Sequence, residues 1–547
     1  MILTMLHDKL PADPDALKAL LIGTRARFAE ERAQLTAEVS RIAVEVVRIT
    51  AERDAAVTAR DRLQAMIAAL RRHRFGPRSE RLDPDQLALG LEDIEQSMAA
   101  LDEEIERKTP GTTPGKARAA ASPRKANRGA LPAHLPRIER IVDVASTDCP
   151  CCAATMIRIG EDVAERLDIV PATLRVIVTR RPKYACRACP GTVVQAEAPA
   201  RLVEGGLPTE ELVAQVVIGK YADHLPLYRQ AQIWARQGVQ LDRSTLCDWV
   251  GRAAWWLRPL HERLLVHLRA SGKLFADETP APVLDPGRGR TRTGQLWAYA
   301  RDDRPWAGSA PPAVAYVFAP DRSAAQVMNH LKGFTGVLQV DGYSAYRKLA
   351  EAGAVELAFC WSHARRRFFE IAKPGNAPIA SEALARIAEL YAIEAAIRGR
   401  DAGQRRAVRQ DETAPLLVAL EAWLRDRLAI VLQSSPIADA IRYTLRHWKG
   451  LCRFLDDGRI EIDSNTVERS IRPLALTRKN ALFAGSDGGG AHWAIAASLI
   501  ETCKLNEINP QEYLADVLRR LVAGHTIDRL DELLPWAWKA ARERAAA

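Results

Sequence analysis

The chain has 547 residues, room for three or four domains at roughly 100–200 residues each. Apolar residues make up 48% and charged residues 27%, ordinary globular values that exclude a wholly disordered or collagen-like polymer. The 78 Lys and Arg outnumber the 68 Asp and Glu, a net charge of +10, which favours polyanionic partners because each neutralised phosphate releases condensed counterions.

No stretch approaches the ~18 uninterrupted apolar residues of a membrane span. The opening MILTMLHDKLPADPD has no basic region ahead of an apolar run, so the expected location is the cytoplasm. Residues 14–105 read as helix. Leu21, Phe28, Leu35, Ile42, Ile49, Ala56, Leu63 and Leu70 form a seven-residue ladder, which buries only against another helix and so predicts a leucine-zipper-like coiled coil between copies. A helix packed on its own core is the other reading. Arg71-Arg72-His73-Arg74 then meets Gly76-Pro77, a basic helix end. From Lys108 to Ile138 there is no acidic residue, and basic residues alternate with Pro, Gly, Ala and Thr. Residues 106–140 are therefore expected to be a flexible basic linker, merely solvated or sliding on phosphates.

Five of the nine cysteines fall between Cys149 and Cys189, a cluster that in a reducing compartment points to metal. Cys149 with Cys152, and Cys186 with Cys189, each form a C-x-x-C knuckle, and two knuckles supply the four thiolates of a structural Zn²⁺. Cys151 is left over; a redox pair or packed thiols would give the same spacing. Residues 141–200 thus read as a zinc-binding module with a hairpin over Val170–Thr179. Residues 208–265 read as a helical, helix-turn-helix-like DNA-binding region: a helix from Leu225-Pro-Leu-Tyr228 to Gln237, a turn at Gly238, and a second helix capped by Arg243-Ser244-Thr245. Any αα-hairpin shows the same pattern.

After Gly272 short apolar runs alternate with turns. Strands are predicted at Lys273–Asp277, Gln295–Tyr299, Ala313–Val317, Gly336–Asp341 and Val355–Cys360, with a helix at Ser323–Leu331. This is a mixed α/β sheet. Two of these strands are expected to end on an aspartate, Asp277 and Asp341, whose carboxylates would share a cleft able to gather hard divalent cations. A third acid is needed. Residues 370–455 read as an all-α insertion. In the segment from Ile460 to Pro473, Asn465 or Thr466 is expected to cap a helix presenting Glu468 in its first turn. Arg469, Arg472, Arg478 and Lys479 beside the acids suit a polyphosphate substrate that carboxylates alone would repel.

These stretches together resemble the DDE transposases of the insertion-sequence-66 (IS66) family. The resemblance lies in FGPRSERL near residue 75, CPCC with CRAC, KYADHLPLYRQ, ADETP, QVDGYSAY, CWSHARRRFF, IDSNTVERSIRPLALTRKNALFAGS and SLIETCKLNEINP. It implies a ribonuclease H-like core, residues 270–369 and 456–525 with a C-terminal region to 547, interrupted by the insertion. It also implies Asp277, Asp341 and Glu468 as catalytic ligands of two Mg²⁺ (or Mn²⁺) ions, and Cys149, Cys152, Cys186 and Cys189 as zinc ligands. The family usually has Asp-Asn-Asn where this chain has Asp463-Ser464-Asn465. Cys360-x-x-His363 is a motif common near the second aspartate of such enzymes and is expected to order the site or touch DNA; Arg365, Arg366 and Arg367 are expected to face phosphate. The implied activity is metal-dependent cleavage of element ends in double-stranded DNA and joining to target DNA. Implied partners are a second copy through the coiled coil, and accessory proteins encoded by the element. The alternatives are a catalytically silent DNA-binding descendant and a nuclease that only hydrolyses.

Overall fold

The computed structural model describes residues 13–74, 97–98, 100–102, 105 and 136–546, apart from 145, 171–172, 188–191, 286, 352, 354, 374 and 376. The FGPRSERL stretch and most of the predicted linker lie outside the described residues. The chain divides into two compact units, one built on residues up to 62 and the other holding everything from 136 onward. The first is carried by helix α1, Pro14–Arg74. No Gly or Pro occurs between Thr24 and Arg74, so nothing interrupts the backbone ladder, which runs for about 90 Å at 1.5 Å per residue. Arg41 pairs with Glu38, and Arg48 with Glu52, both at 2.6 Å, one helical turn apart. Of the apolar ladder, Phe28, Leu35 and Ile42 are exposed, whereas Ala56 is buried.

The second unit contains two sheets. In the smaller, β2 (Ile157–Val170) and β3 (Thr173–Ala185) form the predicted hairpin. Arg137–Ile141, the end of the predicted linker, is instead strand β1, parallel to β3, and Val193–Gln195 (β4) pairs with the far end of β3. Cross-strand ion pairs hold these strands: Arg180 reaches Glu161 at 2.7 Å and Glu139 at 2.9 Å, and Lys183 reaches Asp162 at 2.8 Å.

Three helices follow, α2 (Glu210–Tyr221), α3 (Leu227–Arg236) and α4 (Arg243–Arg269). The turn between α3 and α4 uses Gly238 at φ +83°. The N-cap of α4 is Asp242 rather than the expected Ser or Thr, which fall inside its first turn. Leu246, Trp249, Leu257, Leu260 and Leu264 are buried along α4, so most of its length is spent on the core.

The larger sheet is mixed, in the order β7-β6-β5-β8-β9. Its strands are β5 (Lys273–Val283), β6 (Arg292–Arg301), β7 (Ala313–Ala319), β8 (Gly336–Val340) and β9 (Val355–Phe359). β7, β6 and β5 are antiparallel; β5, β8 and β9 are parallel. All five predicted strands are present, and the Ala324–His330 helix, α5, follows β7. Asp277 corrects the expectation that both aspartates end strands, since β5 runs six residues beyond it. Those residues include Pro280 and Pro282, which lack an N–H. They are tolerated because β8 has already ended and that side of β5 needs no donor from them. Ala484 fills part of the gap, its N–H donating to the Pro282 carbonyl at 2.7 Å. β8 starts at Gly336, φ +123°, where a Cβ would lie 2.3 Å from the Gly272 carbonyl oxygen; only glycine lets the two chain segments meet so closely.

β7 is an edge strand, and its unpaired backbone groups would be costly in the core. Helix α13 (Asp487–Leu505; α12 is Asn465–Ala481) satisfies them with side chains. Ser498 Oγ accepts from Tyr316 N at 2.8 Å. Thr502 Oγ1 accepts from Val314 N at 3.1 Å and donates to its carbonyl at 2.8 Å, and Asn506 Nδ2 donates to the Pro312 carbonyl at 2.7 Å.

Between β9 and α12 the chain is helical, as expected: α6 (Ala345–Glu351) precedes β9, and α7 (Trp361–Ala372), α8 (Pro378–Ile397), α9 (Ala402–Val408), α10 (Ala414–Ile430) and α11 (Pro436–Arg446) follow it. They share a core that includes Trp361, Phe368, Ile387, Leu420 and Ile441. Arg409, fully buried, donates to both oxygens of Glu394 at 2.7 Å, to the Phe454 carbonyl at 2.8 Å and to the Ile460 carbonyl at 2.9 Å. A buried guanidinium with this many acceptors is fully compensated. It fastens the helices to the segment that returns to the sheet.

Candidate active site

The parallel register pairs Phe275 with Gln339. Asp277 and Asp341 each stand two residues further along, so β5 and β8 deliver them side by side. The Glu278 N–H donates to Asp277 Oδ1 at 2.8 Å, and the Tyr343 N–H to Asp341 Oδ1 at 2.8 Å. Behind Asp341, Gly342 takes φ +101°, and Tyr443 Oη donates to the Asp341 carbonyl at 2.8 Å. Burial, then the charges of Glu278 and Asp341, push the Asp277 carboxyl up to about 7, and Glu468 adds to the rise. A buried carboxyl beside other negative charges holds its proton more tightly.

Glu468 stands in the first turn of α12. The N-cap of that helix is Ser464, not Asn465 or Thr466 as expected. Asp463 secures the turn, accepting from Asn465 N at 3.1 Å and from Asn465 Nδ2 at 2.7 Å; its carboxyl is raised by burial. Ser464 in place of the family's usual Asn keeps the backbone role, its N–H donating to Cys360 Sγ at 3.2 Å. Gln339, fully buried on β8, fixes the same segment: its Nε2 donates to the Glu461 carbonyl at 2.6 Å and the Asp463 carbonyl at 3.0 Å.

Cys360 caps α7 and His363 lies in its first turn. Their ligand atoms and a carboxylate oxygen of Glu468 all lie within 4.8 Å of one another. Of the predicted phosphate-facing residues, Arg365, Arg366, Arg367, Arg469, Arg472 and Lys479 are exposed, with Arg366 Nη2 3.8 Å from Glu468 and the Arg367 guanidinium 3.9 Å above the Tyr443 ring. Arg478 is different. It donates to Thr279 Oγ1 at 3.0 Å and to the Pro280 carbonyl, clasping α12 to β5.

Sequence reasoning missed Glu278, next to Asp277, whose side chain is buried and held by Arg322 and by Tyr346 Oη at 3.0 Å. Alternation along a strand puts neighbouring acids on opposite faces, and that was the available signal. In the small sheet, Cys149, Cys152 and Cys186 bring their sulfurs within 4.8 Å of one another, Cys152 and Cys186 at 3.6 Å. Cys189 lies outside the described residues. Cys151 points elsewhere, toward Thr192 Oγ1 at 3.7 Å. The N–H of Cys149 donates to the Ala154 carbonyl, and Ala153 returns a bond to Cys149, a tight knuckle suited to structural zinc.

Four family models match the chain. They are described as Transposase IS66 family over residues 205–492, IS66 C-terminal element over 498–536, zinc-finger binding domain of transposase IS66 over 146–190, and Transposase C of IS166 homeodomain over 62–140. These matches define a transposase, a DNA-processing enzyme. Three uncharacterized proteins of Sinorhizobium fredii are similar. The protein y4jD is 49% identical over 495 residues, 89% of this chain and 96% of that protein; y4qI is 43% identical over 542 residues, 97% and 98%; y4hP is 38% identical over 499 residues, 88% and 89%. The chain belongs to the IS66 transposase family. Among the described residues no helix is long and apolar enough to cross a membrane.

Proposed function

We propose that the chain is a DDE transposase that cuts and joins DNA at Asp277, Asp341 and Glu468 on a ribonuclease H-like sheet. The observation that supports this reading is the raised carboxyl of Asp277, pushed up by burial and by the charges of Glu278, Asp341 and Glu468, which brings acids of β5, β8 and α12 into one electrostatic neighbourhood. The donor set, oxygen only at the three acids, suits Mg²⁺ or Mn²⁺. When bound, such ions supply activation of a water or 3′-hydroxyl and stabilisation of the leaving oxygen. The chain's own work is positional. Gln339 and Arg478 hold the two strands and α12 in one frame, so that the three carboxylates keep their spacing. Exposed Arg366, Arg367, Arg469, Arg472 and Lys479 draw the phosphate backbone over the acids, and Arg365 extends that rim. Cys149, Cys152, Cys186 and Cys189 would tie down the small sheet through zinc, presenting it for end recognition. The exposed ladder of α1 would pair two copies so that two element ends are held together.

The test is strand transfer with duplex element-end DNA and Mg²⁺. Asp341→Asn should abolish joined product while end binding persists in a gel-shift assay. Undiminished joining by that variant would overturn the assignment. Nicking without joining by the wild-type chain would favour a hydrolytic nuclease, and binding without either a silent descendant.

A further inference from the structure

We propose that Cys360, His363 and Glu468 form a further metal site, sharing Glu468 with the acids of β5 and β8, that takes a thiophilic divalent cation, Zn²⁺ in the first instance. The cluster has a mixed donor set: one sulfur, one imidazole nitrogen and one carboxylate oxygen, all within 4.8 Å of one another. That combination suits zinc and suits magnesium poorly, because hard cations avoid thiolate. His363 Nδ1 and Glu468 Oε1 are 3.7 Å apart. Tetrahedral zinc with bonds of about 2.0–2.1 Å requires such atoms at roughly 3.4 Å, so a few tenths of an ångström would bring this pair to ligand spacing.

Two independent observations point to a ligand. His363 Nδ1 and Glu468 Oε1 are both buried atoms without a hydrogen-bond partner, a costly condition that a shared cation would relieve. The N-termini of α7 and α12 also converge here. Cys360 is the N-cap of α7, and its sulfur accepts the N–H of Ser464, the N-cap of α12. Burial pushes the Cys360 thiol up to about 11, and the Ser464 N–H donated to the sulfur opposes that rise. Three protein ligands leave a fourth position open, and the second oxygen of Glu468 lies toward Arg366 rather than the cluster. The site therefore places a fixed positive charge on the Cys360 and His363 side of Glu468, the acid it shares with those of β5 and β8.

The inference stands on this cluster alone and does not need the transfer chemistry to be right. The experiment is zinc content per chain by elemental analysis of the full-length protein, without DNA, after equilibration with Zn²⁺ and gel filtration. His363→Gln should carry one equivalent less than wild type, and so should Cys360→Ser. Cys149→Ser, in the small sheet, should leave this equivalent in place. Cobalt loaded into a Cys149→Ser/Cys152→Ser variant should show a sulfur-to-cobalt charge-transfer band that Cys360→Ser abolishes. Where Cys360→Ser fails to fold by circular dichroism, His363→Gln and Glu468→Gln give the same reading from polar positions. Unchanged zinc content in folded His363→Gln would overturn the site, leaving His363 and Arg366 as polar neighbours of Glu468 only.

Discussion

Thr502 and Val314 exchange both of their available hydrogen bonds: the threonine hydroxyl accepts the valine N–H at 3.1 Å and donates to its carbonyl at 2.8 Å. At Val314 a single side chain thus does for the edge of the large sheet what another strand would otherwise do. Thr502→Val keeps the shape and removes both bonds, stranding two backbone groups in the core. It should cost about 2–3 kcal/mol, read as a lowered urea midpoint with unchanged slope. A loss below about 0.5 kcal/mol would mean that the edge is satisfied some other way.

Gln339 performs a comparable task next to the acids. Its amide takes the carbonyls of Glu461 and Asp463 and its oxygen faces the Glu461 N–H at 3.3 Å. Gln339→Leu should destabilise by about 2–4 kcal/mol and lower strand joining further than the stability loss explains, because the turn that aims Glu468 is released. Joining at the wild-type rate in the folded variant would show that α12 finds its position unaided.

Asp277 gives a pH signature. Its carboxyl in the folded chain, at about 7, lies above the unfolded value near 4. Between those values the unfolded chain has released this proton and the folded chain still holds it. The contribution to stability is therefore complete at low pH and is lost as pH rises through 7. Without added Mg²⁺, Asp277→Asn should be more stable than wild type at pH 8, by about 2–4 kcal/mol, and the gap should shrink toward pH 4. Melting curves at the two pH values decide it; an equal gap at both would remove Asp277 as the elevated group.

Cys186→Ser takes one sulfur from the small-sheet cluster, where it lies 3.6 Å from Cys152. The variant should lose zinc from that module and bind element ends more weakly, by gel shift, while Mg²⁺-dependent nicking of a pre-assembled excess of DNA persists. Retained zinc and retained affinity would show that Cys186 is not a ligand.

Much of the large sheet was readable in the sequence because its strands are short apolar runs bounded by turns, and periodicity reports that directly. The extent of β5 was not. Glu-Thr-Pro-Ala-Pro after Asp277 looks like a turn, and only the early end of β8 makes room for a proline-bearing strand there. The caps of α4 and α12 were misplaced by one to three residues, since Asp, Ser and Thr stand at both sites, with Asn also at the second, and tertiary contacts choose among them. Cys360 with His363 was visible as a motif, but its approach to Glu468 spans more than a hundred residues of chain and no local pattern encodes it. Gln339 and Thr502 read as ordinary polar positions until the edges and carbonyls they serve are seen.

The helical excursion after β9 leaves at Cys360 and comes back at Ile462, and the two ends touch: the Trp361 N–H donates to the Ile462 carbonyl at 3.1 Å. A detour whose mouth is already closed pays little extra entropy for its length, about 0.6 kcal/mol per doubling. This junction is therefore a natural grafting point, where a foreign module of quite different size can replace the present one without dislodging the acids. What such a graft must reproduce is the grip of Arg409 on the Ile460 carbonyl and of Arg405 on Glu461 in the returning segment, fastenings that the mouth itself does not supply.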